Sequence, residues 1–258
     1  MSFPSPQNGQ QAQFPRPLTD FEREALLWLL PTERPGYNAY RRYVAEWKVL
    51  GDGRRGPGNY ILGAPNHLPD IESPLPQVFA YGVIEAEGVR IAVTLRELFE
   101  EQLEYEIVNL SGDSVPEQFA EKRRWSFSSW SPASGCPSCG TAPREIRMER
   151  ESGGEAVLAI CVPDRKLWIF DVRDGVSHLI PVTNFHNALM IEKNIRDPKQ
   201  ALVADNLFRD LRSFSDADLT SAFVRYNKLR KKIDLDTVIP RRASKLSLVT
   251  RLFSILKK

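Results

Sequence analysis

The chain has 258 residues, of which 42% are hydrophobic and 26% charged, and its formal net charge is +2. That balance suits a globular protein with a sizeable core, and so small a charge does not by itself mark a nucleic-acid binder. No run of about eighteen apolar residues marks a membrane span, and three cysteines with one close C-x-x-C pair do not form a secreted disulfide framework.

The opening MSFPSPQNGQQAQFPRP has no basic segment followed by an apolar one, so it does not read as a secretory signal. The expected compartment is the reducing cytoplasm. The same stretch is rich in Gln, Pro and Ser, and residues 1–17 are read as a disordered tail. A single α+β domain is expected over residues 18–234. Thr19-Asp20-Phe21-Glu22 fits a capping box, and Ala25, Leu26 and Leu29 recur at helical spacing as far as Pro31. A second helix is expected after Pro35, through Tyr37, Tyr40, Tyr43, Val44 and Trp47.

Between about residues 59 and 183 the period changes to that of strands. The runs 78–84 and 89–93 flank Glu87-Gly88 and predict a hairpin. Leu103, Tyr105 and Ile107 alternate with Gln102, Glu104 and Glu106, and Trp125 and Phe127 alternate with serines. Residues 156–162 and 166–172 form two further β-rich runs. Short turns between consecutive strands favour antiparallel pairing. Gly51-Asp52-Gly53-Arg54-Arg55-Gly56 matches G-x-G-x-x-G but has neither the strand–loop–helix setting of a dinucleotide fingerprint nor the other kinase motifs, and it reads as a basic surface loop. The polar run Ile180–Asn187 reads as the turn from a strand into a helix. Asp197-Pro198 and Ser215-x-x-Asp218 are plausible caps for later helices, the latter followed by the stripe Leu219, Ala222, Phe223, Tyr226 and Leu229.

The sharpest chemical signal is Cys136-Pro137-Ser138-Cys139, followed after 21 residues by Cys161-Val162-Pro163-Asp164. Two thiolates two residues apart can bind one tetrahedral ion, and small neighbours let backbone amides approach the sulfurs. The pattern C-x2-C-x21-C-x2-D resembles a zinc ribbon with Asp in place of the last cysteine, over about residues 131–170. Residues 144–151, the Gly153-Gly154 turn and residues 155–160 supply the hairpin that joins two ribbon knuckles. The resemblance implies a structural zinc ion held by Cys136, Cys139, Cys161 and Asp164, with His178 or His186 as alternatives for the fourth ligand. A metal-free relic and a redox dithiol are the other readings, although Gly140 and Pro143 do not suit the helix that a redox C-x-x-C opens. No G-x-S-x-G elbow and no H-x-x-x-H pair is present, so no catalytic set is assigned.

From Arg225 to Lys258 there are eleven Lys or Arg against two Asp, a net +9 in a chain whose total is +2. Residues 235–258 are read as a linker and a basic amphipathic C-terminal helix, with Leu248, Val249, Leu252, Phe253 and Leu256 on one face. Such a helix gains order by docking. Packing back on its own domain and insertion into a groove of a protein partner rank equal, ahead of an anionic membrane surface and of nucleic acid. The functional expectation is a non-enzymatic binding or adaptor protein with a structural zinc site. The alternatives are a metal-dependent or pocket enzyme whose residues converge only in the fold, and a nucleic-acid-associated zinc-ribbon protein.

Overall fold

Thr19 caps the first helix as its sequence predicts. Its hydroxyl accepts from the Glu22 amide at 3.2 Å, and the Glu22 carboxylate accepts from the Thr19 amide at 2.8 Å. The helix α1 (Asp20–Leu29) buries Phe21, Ala25, Leu26 and Leu29. A 3-10 turn at Pro35–Tyr37 leads into α2 (Asn38–Glu46). Trp47 stands just past that helix and closes it, because Lys48 already enters a strand. The computed structural model describes residues 13–71, 77–98, 101–112, 114–116, 118–149, 153–192, 207–209 and 211–236, with backbone alone at 212 and over 230–236.

The strands that follow build two antiparallel sheets, and the fold is α+β. The first sheet contains β1 (Lys48–Asp52), β2 (Asn59–Gly63), β3 (Val78–Ala86), β4 (Val89–Glu97), β5 (Leu103–Asn109) and β6 (Glu121–Ser126), in the order β1-β2-β5-β4-β3-β6. Glu87 and Gly88 make the predicted turn between β3 and β4, with Gly88 at φ +69°. Glycine adopts this left-handed conformation without the steric penalty of a side chain. The glycine-rich loop is the connection between β1 and β2, folded back on itself by Gly53 N–H to Asn59 O and Asn59 N–H to Gly56 O. One face of this sheet, carrying Val49, Leu62, Ile84, Ile91, Val93, Leu95, Leu103 and Tyr105, packs under α1 and α2. The helix sits close because β3 has no side chain at Gly82, where a Cβ would lie 2.4 Å from the Trp28 ring and 2.8 Å from Leu29 Cδ2.

The second sheet contains β7 (Arg144–Glu149), β8 (Glu155–Cys161), β9 (Lys166–Asp171) and β10 (Ser177–Ile180), in the order β10-β9-β8-β7. Strand alternation gives it two buried faces. Ala156, Leu158, Ile160, Leu167, Ile169 and Ile180 pack against α3 (Val182–Glu192) and α4 (Asp216–Asp236). The passage from strand into helix is confined to Ile180-Pro181, and residues 182–187, read from the sequence as part of the turn, already belong to α3 because they pack on the second sheet. Val157, Ala159, Cys161, Trp168 and Phe170 face the other way, onto Val83, Trp125, Phe127 and Trp130. This aromatic cluster lies between the sheets, with Phe127 and Trp130 edge-on to Trp168 at centroid distances of 4.8 and 5.2 Å. Tyr37 adds a polar tie: its hydroxyl accepts from the Ser177 amide of β10 at 3.0 Å.

The residue assignments at the chain ends meet the described residues only in part. Of the segment 1–17, residues 1–12 lie outside them, while Arg16 forms a bridge with Val49 and a two-pronged ion pair with Glu22. The cap expected at Asp197-Pro198, and residues 237–258 with the amphipathic tail, also lie outside the described residues. The cap at Ser215 is present, its hydroxyl accepting from the Asp218 amide at 3.2 Å. Among the described residues no helix is long and apolar enough to cross a membrane.

Candidate metal centre

The loop after β6 carries the first cysteine pair back toward the sheets. Trp130 anchors it, buried in the aromatic cluster and donating its indole N–H to the Ser134 carbonyl at 3.1 Å. Arg123 of β6 clamps the next stretch, donating to the carbonyls of Pro137 and Ser138 at 2.8 and 3.1 Å. Cys136 N–H donates to Thr141 O and Gly140 N–H to Cys136 O, both at 2.8 Å, which closes a tight turn. Gly140 sits at φ +74°. Gly135 has no room for a side chain, since a Cβ there would meet Gly140 O at 2.6 Å.

A second turn of the same kind joins β8 to β9. Cys161 ends β8, Arg165 N–H donates to Val162 O at 3.2 Å, and Arg165 takes φ +50°. In each turn the residue four places after the first cysteine is left-handed. In each turn, too, backbone amides aim at sulfur. Those of Ser138 and Cys139 donate to Cys136, that of Thr141 to Cys139, and that of Asp164 to Cys161.

The two turns bring Cys136, Cys139 and Cys161 together, with all three sulfurs within 4.8 Å of one another. Cys139 Sγ lies 3.4 Å from Cys161 Sγ, and the three cysteines are free of disulfides. A tetrahedral ion with metal–sulfur bonds of about 2.3 Å separates its sulfurs by about 3.8 Å, so the cluster is of metal-binding size. Cys136 and Cys161 are buried and Cys139 is exposed. Burial pushes the Cys136 and Cys161 thiols up, against the pull of the amides that face them. At Cys139 burial acts in the same sense, but the hydroxyl and amide of Thr141 and the neighbouring thiols outweigh it and hold the group below its ordinary value. Three thiols whose protons an ion can displace, in a pocket ringed by amides, fit a metal centre.

Asp164 stands at the edge of this set. Its Oδ2 is 3.9 Å from Cys136 Sγ, and its Oδ1 accepts from the Ser138 hydroxyl at 3.1 Å. The two histidines considered as alternatives are elsewhere. His178 lies opposite Ile169 in the β10–β9 ladder and so shares the face of Ile169, which packs against the helices. Cys161 is on the opposite face. His186 is buried in α3, on that same helical side. A cleft joining either histidine to Cys161 would have to pass through the sheet.

Sequence reasoning missed Thr141, Ser138 and Arg123 as parts of the site. The first two follow or interrupt the C-x-x-C pair and were within its reach. Arg123 comes from a strand of the other sheet, and nothing in the local pattern connects it to the cysteines. The chain matches no protein-family model, none of the curated proteins and none of the solved structures with which it was compared.

Proposed function

We propose that this chain is a non-enzymatic binding or adaptor protein whose second sheet is tied down by a structural zinc ion in a zinc-ribbon arrangement. Cys136, Cys139 and Cys161 supply three thiolates, and Asp164 turns its carboxylate inward as the fourth ligand. One observation carries the reading: three sulfurs from two turns of like geometry lie within 4.8 Å of one another. Zinc is favoured over softer or redox-active ions by a set of thiolates with one carboxylate, which a borderline ion accepts in a closed tetrahedron. The metal would join the loop after β6 to the β8–β9 turn, beside the aromatic cluster that packs the sheets together. Its contribution would therefore be to the fold.

The partner is proposed to dock on the basic C-terminal segment, residues 235–258, which carries six Lys or Arg against one Asp. A protein groove suits an amphipathic helix of this length better than a membrane, which one short helix holds weakly. Nucleic acid is the remaining alternative for the same charge.

Cobalt substitution tests the metal set. Cobalt bound by three thiolates and an oxygen in a tetrahedron gives intense sulfur-to-metal charge-transfer and ligand-field bands, and zinc added afterwards should abolish them. Absence of those bands in protein reconstituted under reducing conditions would defeat the reading. For the tail, deletion of residues 241–258 should abolish capture of a protein partner while leaving the circular dichroism spectrum of the folded chain unchanged. Retention of every interaction would defeat that part alone.

A further inference from the structure

The three cysteines of the metal centre differ in what they can meet. Cys136 and Cys161 are only 2% and 1% exposed, and both belong to the aromatic cluster between the sheets. Cys139 is exposed to solvent. The turn that carries it is held from behind, by Arg123 on the carbonyls of Pro137 and Ser138 and by Gly140 N–H on Cys136 O. On its outer side Gly140 is exposed, with no heavy atom within 4 Å of where a Cβ would stand. A small reagent arriving from water therefore reaches one sulfur of the set first, and a cysteine's oxidation follows such access.

That sulfur has a partner at hand. Cys139 Sγ stands 3.4 Å from Cys161 Sγ, nearer than the about 3.8 Å at which a tetrahedral ion parts its thiolates. Closure to a sulfur–sulfur bond of about 2.05 Å asks for a movement of roughly 1.4 Å. The two cysteines are 22 residues apart and lie in different turns. A bond between them joins the loop after β6 to the β8–β9 turn, which is the junction that a metal ion makes. A bond within the C-x-x-C pair would join nothing beyond its own turn.

We propose that Cys139 and Cys161 are a peroxide-responsive pair, whose disulfide takes over from the metal ion as the tie between the two turns. The release of an ion rests on the zinc reading of this site, whereas the bond needs only the two thiols. The Cys139 sulfur attacks one oxygen of hydrogen peroxide, the O–O bond breaks, and Cys139 becomes a sulfenic acid as hydroxide leaves. The Cys161 thiolate then attacks the Cys139 sulfur, the S–S bond forms, the S–O bond breaks, and a second hydroxide leaves. Two electrons pass from the sulfurs to the peroxide. Only Cys136 and Asp164 then remain of the four ligands, too few to retain zinc in a closed tetrahedron. A dithiol reverses the oxidation by exchange.

The test treats the full chain, zinc-loaded and chelated, with a small excess of hydrogen peroxide. Alkylation and peptide mass spectrometry then map the cysteines, and a chromogenic chelator reads released zinc. The expected result is a Cys139–Cys161 crosslink in both forms, release of the bound zinc from the loaded one, an unchanged circular dichroism spectrum, and recovery of zinc binding after dithiothreitol. Chelated Cys136→Ser should form the same crosslink. A crosslink of Cys136 to Cys139 in its place, no crosslink in the chelated chain, or zinc retained through the treatment would overturn the proposal. Failure of the parent to take up zinc at all would defeat the structural-zinc reading, while the crosslink is still decided on the chelated chain. Should Cys136→Ser fail to fold, the mapping on the unaltered chain decides the matter.

Discussion

Gly140 and Arg165 occupy the same place in two separate turns, each four residues after a cysteine and each left-handed, at φ +74° and +50°. The likeness extends to the amides of Cys139 and Asp164, each three residues after a cysteine and each aimed at that cysteine's sulfur. By this correspondence Asp164 stands where the first turn has Cys139. The departure from a four-cysteine pattern is thus confined to one ligand in an otherwise repeated frame.

Replacing that ligand separates a zinc-binding role from a merely structural one. Asp164→Ala should weaken zinc by at least about 10-fold, since even the loss of a group that merely supports a ligand costs that much. Asp164→Cys, which completes a four-thiolate set, should bind zinc more tightly than the parent. Competition against a chromogenic chelator reads both, and equal affinity in all three proteins would remove Asp164 from the site.

The left-handed turn carries its own prediction. At Gly140 no heavy atom lies within 4 Å of where a Cβ would stand, so Gly140→Ala meets no clash and pays only for its backbone conformation. A loss of about 1–2 kcal/mol is expected in denaturant unfolding. No loss would show that the turn readily adopts another conformation.

Acidity should act in opposite directions on the protein with and without metal. Burial raises Cys136 and Cys161 above the ordinary thiol value of 9.0. In the chelated protein these thiols hold protons that the unfolded chain gives up sooner. The stability they contribute is therefore complete below about pH 9 and is lost as pH rises further. In the metal-loaded protein the thiolates are ligands, and it is acid that competes with the ion. Thermal midpoints followed from pH 6 to 10 should lose this contribution only above about pH 9 in the chelated form, and should fall with falling pH in the loaded one. Parallel curves would indicate that no metal is bound through these groups.

Tyr37 tests the junction between the sheets. Burial pushes its hydroxyl up to about 12, and that hydroxyl accepts from the buried Ser177 amide. Tyr37→Phe keeps the ring and strands the amide, at a cost of about 1–3 kcal/mol. A change within error would mean that β10 shifts to find another acceptor.

What could be read from the sequence was local. The Thr19 box, the Glu87-Gly88 hairpin and the C-x-x-C turn each lie within a few residues of chain, and the structure places all three as their residues suggest. The antiparallel character of the strands followed in the same way, from the shortness of the turns. Two things were hidden. The helix α3, with its sequence VTNFHNALMIE, mixes two asparagines and β-branched residues into its turns, so its helical stripe through Phe185, Ala188 and Leu189 is faint. Its existence is decided by packing on the second sheet. The alternation of Leu103, Tyr105 and Ile107 with Gln102, Glu104 and Glu106 correctly divides β5 into two faces but suggests that the polar face meets water. That inference fails at Glu104 because the β1–β2 loop and the segment after β2 fold over it, a long-range event that no periodicity encodes. The same limit applies to Arg123, which reaches the cysteine turn from another sheet.

The most direct test of the central claim is the metal content of the full chain purified without chelator, measured by elemental analysis beside the Cys136→Ser, Cys139→Ser double variant. One zinc per chain in the parent, lost in the variant together with several degrees of thermal midpoint, is the predicted result. A parent without metal that stays folded after incubation with zinc and still takes none up, or a double variant that keeps a full equivalent, would contradict it.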